Sequence, residues 1–377
     1  MNSKPRILFL HRQQSAVGYY RTWLPARHLH AKGYPVKWWE EGPARRRLGQ
    51  TPEKRGKWLQ EHIKSFDLIY CDRALDQEEL GELMGFRHYI DNCRMIMDFD
   101  DDFTNVPWWN LGHNSYQPGQ LNFDTGMMHL RASEMTTVST PHLVKHFKKH
   151  AHQIRLAENC IDPADWADLA VCPERESDNH LRVLYGGASG HYGDLDDVKE
   201  GIEATLRNPP VPFRLICFGA LPTWMHELSR EFPGRLVSLP WVNFNDYPQA
   251  IAWGGFDISL APLADHIFNA SKSNIKYLEA AVQGIPFMCS DIGPYSSIPD
   301  DCAVKVENTP ARWAASLRNL LQYPDLREEL KKKAREDVLA NWTIDKRGKQ
   351  WEDIVLEAPS LPRIESLEDT RLDASAE

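Results

Sequence analysis

Short apolar runs alternate along the chain with stretches whose apolar residues recur at helical spacing. This rhythm predicts βα units built around parallel sheets. In the first half the expected strands are Arg6–His11, Pro35–Glu40, Asp67–Asp72, Arg94–Asp100, Thr136–Ser139 and Ile154–Glu158. Between them, Tyr20–Lys32 carries Leu24 and Leu29 toward a core and stops at Gly33. Thr140–His150 begins with a threonine cap and a proline at the first helical position, where a missing N–H costs least. A second set of strands is expected at Leu181–Tyr185, Phe213–Phe218, Arg235–Leu239, Asp257–Ala261, Pro286–Ser290 and Ala303–Val306. Helices fall in its gaps, at Asp197–Arg207, Tyr247–Trp253 and Ser273–Gln283 among others. After Pro310 the pattern is helical throughout, over Ala311–Gln322, Asp325–Asn341 and Asp345–Leu356. Two successive sets of about six strands predict an α/β protein of two Rossmann-like, doubly wound domains facing a cleft.

Length agrees, since 377 residues exceed one ordinary core and suit two. The polar, proline-bearing segment Asp162–Asn179 reads as the linker, so the expected domains are 1–165 and 180–340. The last residues, from Pro359, are acidic and aperiodic, and read as a frayed tail over 359–377. No apolar run approaches the roughly 18 residues of a membrane span, and the N-terminus reads as a first strand, not a signal peptide. Seven cysteines, scattered singly with no CxxC pair, argue against a disulfide framework or a zinc site and for a reducing cytoplasm. The net charge of −9 argues against a general polyanion binder. Basic clusters at Arg45–Arg47 and Lys331–Lys333 are flanked by acids and read as solvated faces.

Four stretches carry candidate chemistry. In Phe268–Pro286, Ser271 and Ser273 are candidate N-caps, and Gly284 with Pro286 is a stop signal. Lys272, Lys276 and Glu279 recur at i, i+4 and i+7, placing two cations and a carboxylate on neighbouring helical faces. Lysines at a helix N-terminus suit a diphosphate, and a carboxylate two turns on can accept two hydroxyls of a ribose. The competing reading is a solvated helix with a weak Lys276–Glu279 pair. The second stretch, Gly186-Gly187-Ala188-Ser189-Gly190-His191, follows a strand directly, and its small residues let backbone amides approach a phosphate. Asp194 and Asp197 are cap candidates for the next helix. The alternative is a ligand-free turn.

The third stretch is Asp98-Phe99-Asp100-Asp101-Asp102, at the end of a strand. Its crowded carboxylates can hold loops, orient acceptor hydroxyls, act as a general base or bind a divalent metal. Trp108 and Trp109 follow, and one of them can stack on a sugar or base ring. In the fourth, Arg12-Gln13-Gln14-Ser15-Ala16-Val17-Gly18 is expected to loop over the cleft, with Arg21 reaching an anion from the other side. A solvent-exposed arginine is the alternative.

Together these features resemble the GT-B glycosyltransferases, and most the GT4-type (group 1) family. Glu279-Ala280-Ala281-Val282-Gln283-Gly284-Ile285-Pro286, followed by Ser290, is its most specific part. Thr137-Val138-Ser139-Thr140-Pro141-His142-Leu143 and Glu158-Asn159-Cys160-Ile161-Asp162 resemble two stretches of that family's N-terminal domain. The resemblance covers about residues 5–357 and implies a closing helix around Trp351, over 341–358, that packs back on the N-terminal domain.

The resemblance further implies transfer of a sugar from a nucleoside diphosphate sugar to an acceptor hydroxyl, with retention and without a metal or other cofactor. Glu279 would hold the donor ribose, and Lys276, Gly187, Ser189, His191, Phe268, Asn269, Gly18 and Arg21 would complete the donor site. Lys272, Asp98 and Asp100 are the catalytic candidates, and Asp101, Trp108 and Trp109 the acceptor-binding ones. The acceptor would be a glycan, a lipid-linked or another hydroxyl compound. The sequence departs from the family in having Ser271 where a second glutamate is common, and Ser189 and His191 where arginine and lysine are usual. Asp98-Phe99-Asp100 also matches the metal-binding DxD of GT-A enzymes, which lack the half that carries Glu279. Two other readings stand beside this one: a glycosyltransferase acting on modified bases of DNA, and a nucleotide-sugar-binding module without catalysis.

Overall fold

Each set of strands closes into its own six-stranded parallel sheet. The first runs in the order β2-β1-β3-β4-β5-β6 and the second β12-β11-β10-β7-β8-β9. This computed structural model describes residues 4–11, 15–40, 65–72 and 93–364. The first-sheet strands are β1 Ile7–His11, β2 Val36–Glu40, β3 Leu68–Asp72, β4 Arg94–Phe99, β5 Met135–Val138 and β6 Ile154–Leu156. The second sheet holds β7 Leu181–Gly187, β8 Phe213–Gly219, β9 Leu236–Leu239, β10 Ile258–Ala261, β11 Phe287–Ser290 and β12 Val304–Val306. Every expected strand is present within two residues of its sequence bounds. Central strands of a parallel sheet are covered on both faces, so they read as unbroken apolar runs. All four residues of β5, β10 and β11 are buried, as that requires.

The chain divides into two units. Among the described residues, the first is drawn from Met1–Asn105, Asn114–Asn159 and Ile344–Glu377, and the second from Val106–His113 and Cys160–Thr343. In the first unit Leu8, Leu10, Met95, Met97, Phe99, Leu130 and Phe147 belong to one buried cluster. Closing helix Lys349–Glu357 adds Trp351, which is fully buried against Tyr70 and under the Arg21 guanidinium. The second unit's core gathers Val183, Leu215, Ile258, Met288, Trp313 and Leu320.

Several local expectations change. Asp162–Asn179 is no loose linker: within the second unit Trp166 is fully buried against Phe244 and Tyr247. Asp178 there accepts from Arg182 and Arg214. Burial works to raise the Asp178 pKa, but the Arg182 hydrogen bond, the His180 amide and Arg214 outweigh it and hold it at about 2. The start of the tail is also pinned. Arg94 donates to the Leu361 carbonyl at 2.7 Å, and the Ile364 amide donates to Glu134 at 3.0 Å. Residues 365–377, Arg12–Gln14 and Arg45–Arg47 lie outside the described residues.

Gly18 does not sit in a loop. It closes a helical turn, Ala16–Gly18, capped by Ser15, and a π-helical turn, Tyr19–Trp23, follows directly. Helix Ile275–Val282 begins two residues later than expected, with Asn274 and neither serine at the cap position. Ser271 is fully buried, and its hydroxyl donates to the Phe268 carbonyl, closing the separate turn Ile267–Ala270. Gly284, at φ +69°, stops the helix in the left-handed region that a side chain disfavours. Among the described residues, no helix is long and apolar enough to cross a membrane.

Candidate functional site

In an open α/β sheet a ligand binds beyond the carboxyl ends of the strands, where the strand order reverses. In the second sheet that point lies between β7 and β10, which pair directly. β7 ends in Gly186-Gly187, and the segment after β10 leads through Phe268 to helix Ile275–Val282. One small pocket is lined by Gly186, Lys276 and Glu279 together with Leu184, Tyr247, Ile251, Ser259, Leu260 and Ala280. The i, i+3 spacing of Lys276 and Glu279 brings both to this pocket. Lys276 Nζ donates to the Gly186 carbonyl at 2.8 Å and stands over the Tyr185 ring. Burial lowers the Lys276 pKa to about 8, with Lys272 repelling its charge and Asp194 and Glu279 holding it. Lys272 lies over the Phe268 ring, 4.4 Å from its centre.

After β7 comes the 3-10 turn Ser189–His191, and then a helix of only five residues, Tyr192–Asp196. A helix that short brings little dipole to the loop. A buried polar cluster replaces it. His191 Nδ1 lies 2.6 Å from Asp194, and Asp194 also accepts from the Ala264 amide at 3.0 Å and from Asn269 Nδ2 at 2.6 Å. Asp194 is thus no helix cap; it ties the β7 loop to the β10 loop. Burial and then Lys276 push the His191 pKa down to about 4, so at neutral pH the ring is uncharged and its Nδ1–H donates to Asp194. Asn269, expected to meet the donor, is 1% exposed, and its side-chain amide is committed to Asp194 and the Ala264 carbonyl. Phe268 is likewise buried.

Two further groups border this loop. The Tyr185 hydroxyl is buried without a hydrogen-bond partner and lies 2.5 Å from where a Cβ on Gly187 would stand. A buried hydroxyl without a partner costs on the order of 1–3 kcal/mol, and such a group beside a glycine loop suits a site that a ligand completes. Trp109 packs where a Cβ on Gly193 would fall and meets the His266 ring at 5.3 Å, whereas Trp108 is largely exposed. Both tryptophans belong to the second unit, although the sequence reading placed them in the first. Tyr185 and Tyr247 were missed because single tyrosines in a strand or helix carry no pattern. The tyrosine immediately before Gly186-Gly187 was the available signal.

In the first unit Arg21 and Asp98 do not form an open site. Arg21 is fully buried and donates to Asp98 through Nε at 2.8 Å and Nη2 at 2.7 Å. It also donates to Asn159 at 2.8 Å and to the Ala157 carbonyl. Asp98, 2% exposed, accepts in addition from Tyr70 at 2.8 Å and Thr137 at 2.6 Å. A carboxylate held by four donors cannot serve as a general base, and a guanidinium so enclosed cannot reach a donor phosphate. The expected roles of Asp98 and Arg21 are corrected accordingly. Asp102 is also structural, accepting from Thr104 and Asn105 to hold its turn. Asp100 is half-buried at the end of β4, and its carbonyl accepts from Ser139. Asp101 is half-buried beside it. Among the described residues, no group of His, Cys, Asp and Glu could hold a metal ion.

Two doubly wound parallel sheets, the second bearing a Gly-Gly strand end beside a lysine and a glutamate, define the GT-B architecture. The solved structures agree over nearly the whole chain. Sucrose-phosphate synthase from Thermosynechococcus elongatus is similar at 15% identity, covering 94% of this chain and 99% of that one, with a TM-score of 0.66. A glycosyltransferase from Rickettsia africae is similar at 14% identity, covering 95% and 100%, with a TM-score of 0.67. Anabaena HepE, solved in complex with UDP-glucose, is similar at 14% identity, covering 93% and 99%, with a TM-score of 0.65. The glycosyl transferase-like family model matches residues 199–353, which include Lys272, Lys276 and Glu279. No curated protein matches the chain in sequence.

Proposed function

We propose that the protein is a glycosyltransferase that moves a sugar from a nucleoside diphosphate sugar to an acceptor hydroxyl, with retention of configuration. The observation that carries this reading is the pocket at the β7–β10 switch point, where Gly186 meets Lys276 and Glu279, the latter two inside the stretch matched by the glycosyl transferase-like model. Glu279 accepts the two ribose hydroxyls. Lys272 and Lys276, with the amides of Gly187 and Ser189, balance the charge of the diphosphate as it departs with the electron pair of the broken sugar–oxygen bond. His191, neutral and with its single N–H given to Asp194, brings neither a cation nor a donor to that diphosphate, so the charge falls to the two lysines and the backbone amides. Asp100 is the remaining carboxylate candidate, and Asp101, Trp108 and Trp109 are the acceptor-binding candidates. The acceptor is a glycan, a lipid-linked or another hydroxyl compound, and the reaction belongs to the cytoplasm.

A thermal-shift screen of nucleoside diphosphate sugars identifies the donor, because a bound donor stabilises the fold by mass action. Glu279→Ala is expected to weaken that donor by about tenfold or more, the loss of a charge-assisted pair of hydrogen bonds. Unchanged calorimetric titration of the donor into that variant would remove the ribose assignment. In this reading protein cations do the work of a metal, so transfer is expected to continue at an unchanged rate in excess EDTA; restoration of a lost rate by added magnesium or manganese would refute it.

A further inference from the structure

Trp241 is one of three exposed tryptophans of the second unit's described residues, with Trp108 and Trp253. Trp166 and Trp313 are sealed in its core, but Trp241 is 68% exposed. Single exposed apolar residues are common and need no explanation by themselves. The place of this one is informative. It lies two residues beyond the carboxyl end of β9, on the ligand edge of the sheet. Its Cε3 comes within 3.2 Å of where a Cβ on Gly219 would stand, and the Gly187 carbonyl is the other neighbour of that point. Gly219 has φ +98°, and the next amide, of Ala220, donates to the Gly187 carbonyl at 3.0 Å. The ends of β7, β8 and β9 therefore converge at the indole, with Gly219 where a side chain would otherwise crowd it. Gly187 adjoins Gly186, which lines the Glu279 pocket.

We infer that the Trp241 indole is the platform on which the base of the donor nucleotide stacks. This rests on the donor reading above and deepens it: Glu279 takes the ribose, and the base leaves that pocket across Gly186-Gly187 toward the ring. An aromatic face is tolerant of base identity, so this contact supplies affinity for the nucleoside without selecting uracil, adenine or guanine.

The test titrates UDP, ADP, GDP and inorganic pyrophosphate into the wild-type protein, Trp241→Ala and Trp241→Phe. Trp241→Ala is expected to weaken the nucleoside diphosphate that binds best by about tenfold to a hundredfold, and to leave pyrophosphate within about twofold of wild type. Trp241→Phe keeps a ring and is expected to retain most of the affinity. Nucleoside diphosphate affinity that is unchanged in Trp241→Ala overturns the inference, as does an equal loss for pyrophosphate, which would mark a general collapse of the site. A wild-type protein that binds pyrophosphate but no nucleoside diphosphate overturns it too. Binding of none of the four overturns the donor reading, and the stacking platform falls with it.

Discussion

Asp98→Ala is expected to lower the stability of the protein by about 3–5 kcal/mol, the range for removing one partner of a buried ion pair. Arg21 would be left fully buried without its carboxylate partner, although Asn159 and the Ala157 carbonyl still accept from it, and the Tyr70 and Thr137 hydroxyls would lose the carboxylate they share and keep the bond to each other. Burial opposes charge on Arg21, and it is chiefly the field and hydrogen bonds of Asp98 that keep it ionised. Urea unfolding of the full chain measures the loss. The double variant Arg21→Met with Asp98→Leu is expected to recover most of it, because two apolar side chains of similar volume remove both desolvation penalties together. Undiminished stability in Asp98→Ala, together with lost transfer, would return Asp98 to the catalytic list.

The second large effect belongs to Lys276. With its Nζ at the Gly186 carbonyl, it stands where charge develops if the diphosphate lies along the glycine loop. Lys276→Met is expected to reduce kcat/KM by about a hundredfold to a thousandfold, the usual consequence of losing one preorganised donor to a leaving group. The pH profile carries a signature of the same residue. Burial, reinforced by Lys272, lowers the Lys276 pKa from the ordinary lysine value to about 8. The ammonium is therefore present at about pH 7 and is lost as pH rises through that value. In the free enzyme kcat/KM should fall about tenfold per unit beyond it. His191 is already neutral above about 4 and adds no inflection on the alkaline side. In Lys276→Met the alkaline limb should vanish. A wild-type profile that stays flat to about pH 9, or a variant that keeps more than about a third of the activity, would sink the assignment.

The strands were legible because burial on both faces leaves runs such as Leu68-Ile69-Tyr70-Cys71 with no polar interruption. The Lys276–Glu279 pair was legible because helical spacing is a local rule. Arg21 and Asp98 were not: they lie 77 residues apart, and nothing in either neighbourhood names its partner. An arginine at a helix start and an aspartate at a strand end look the same whether they meet each other or a ligand. Ser271 failed as a cap for a related reason, since it ends the separate turn Ile267–Ala270 ahead of the helix. The acidic tail likewise gave no sign of its anchor, because the Arg94 contact to Leu361 spans 267 residues. Trp241 has no periodic signal at all; only the folded positions of Gly187 and Gly219 give it meaning.

The pinned C-terminal segment also dictates an order of assembly. All the described strand pairs of the first sheet lie before residue 157, yet Trp351 covers Tyr70 and Arg21 from the far end of the chain. Arg155 donates to Glu357, and Glu158 pairs with Arg347, so the carboxyl edge of that unit is fastened by the same late residues. On the ribosome the second unit's own sheet, β7 to β12, emerges complete while the first still lacks its cover. The first unit to be synthesised is therefore the last to close, and until it does the ring of Tyr70 and the Arg21–Asp98 pair stand open on one side to water and to chaperones.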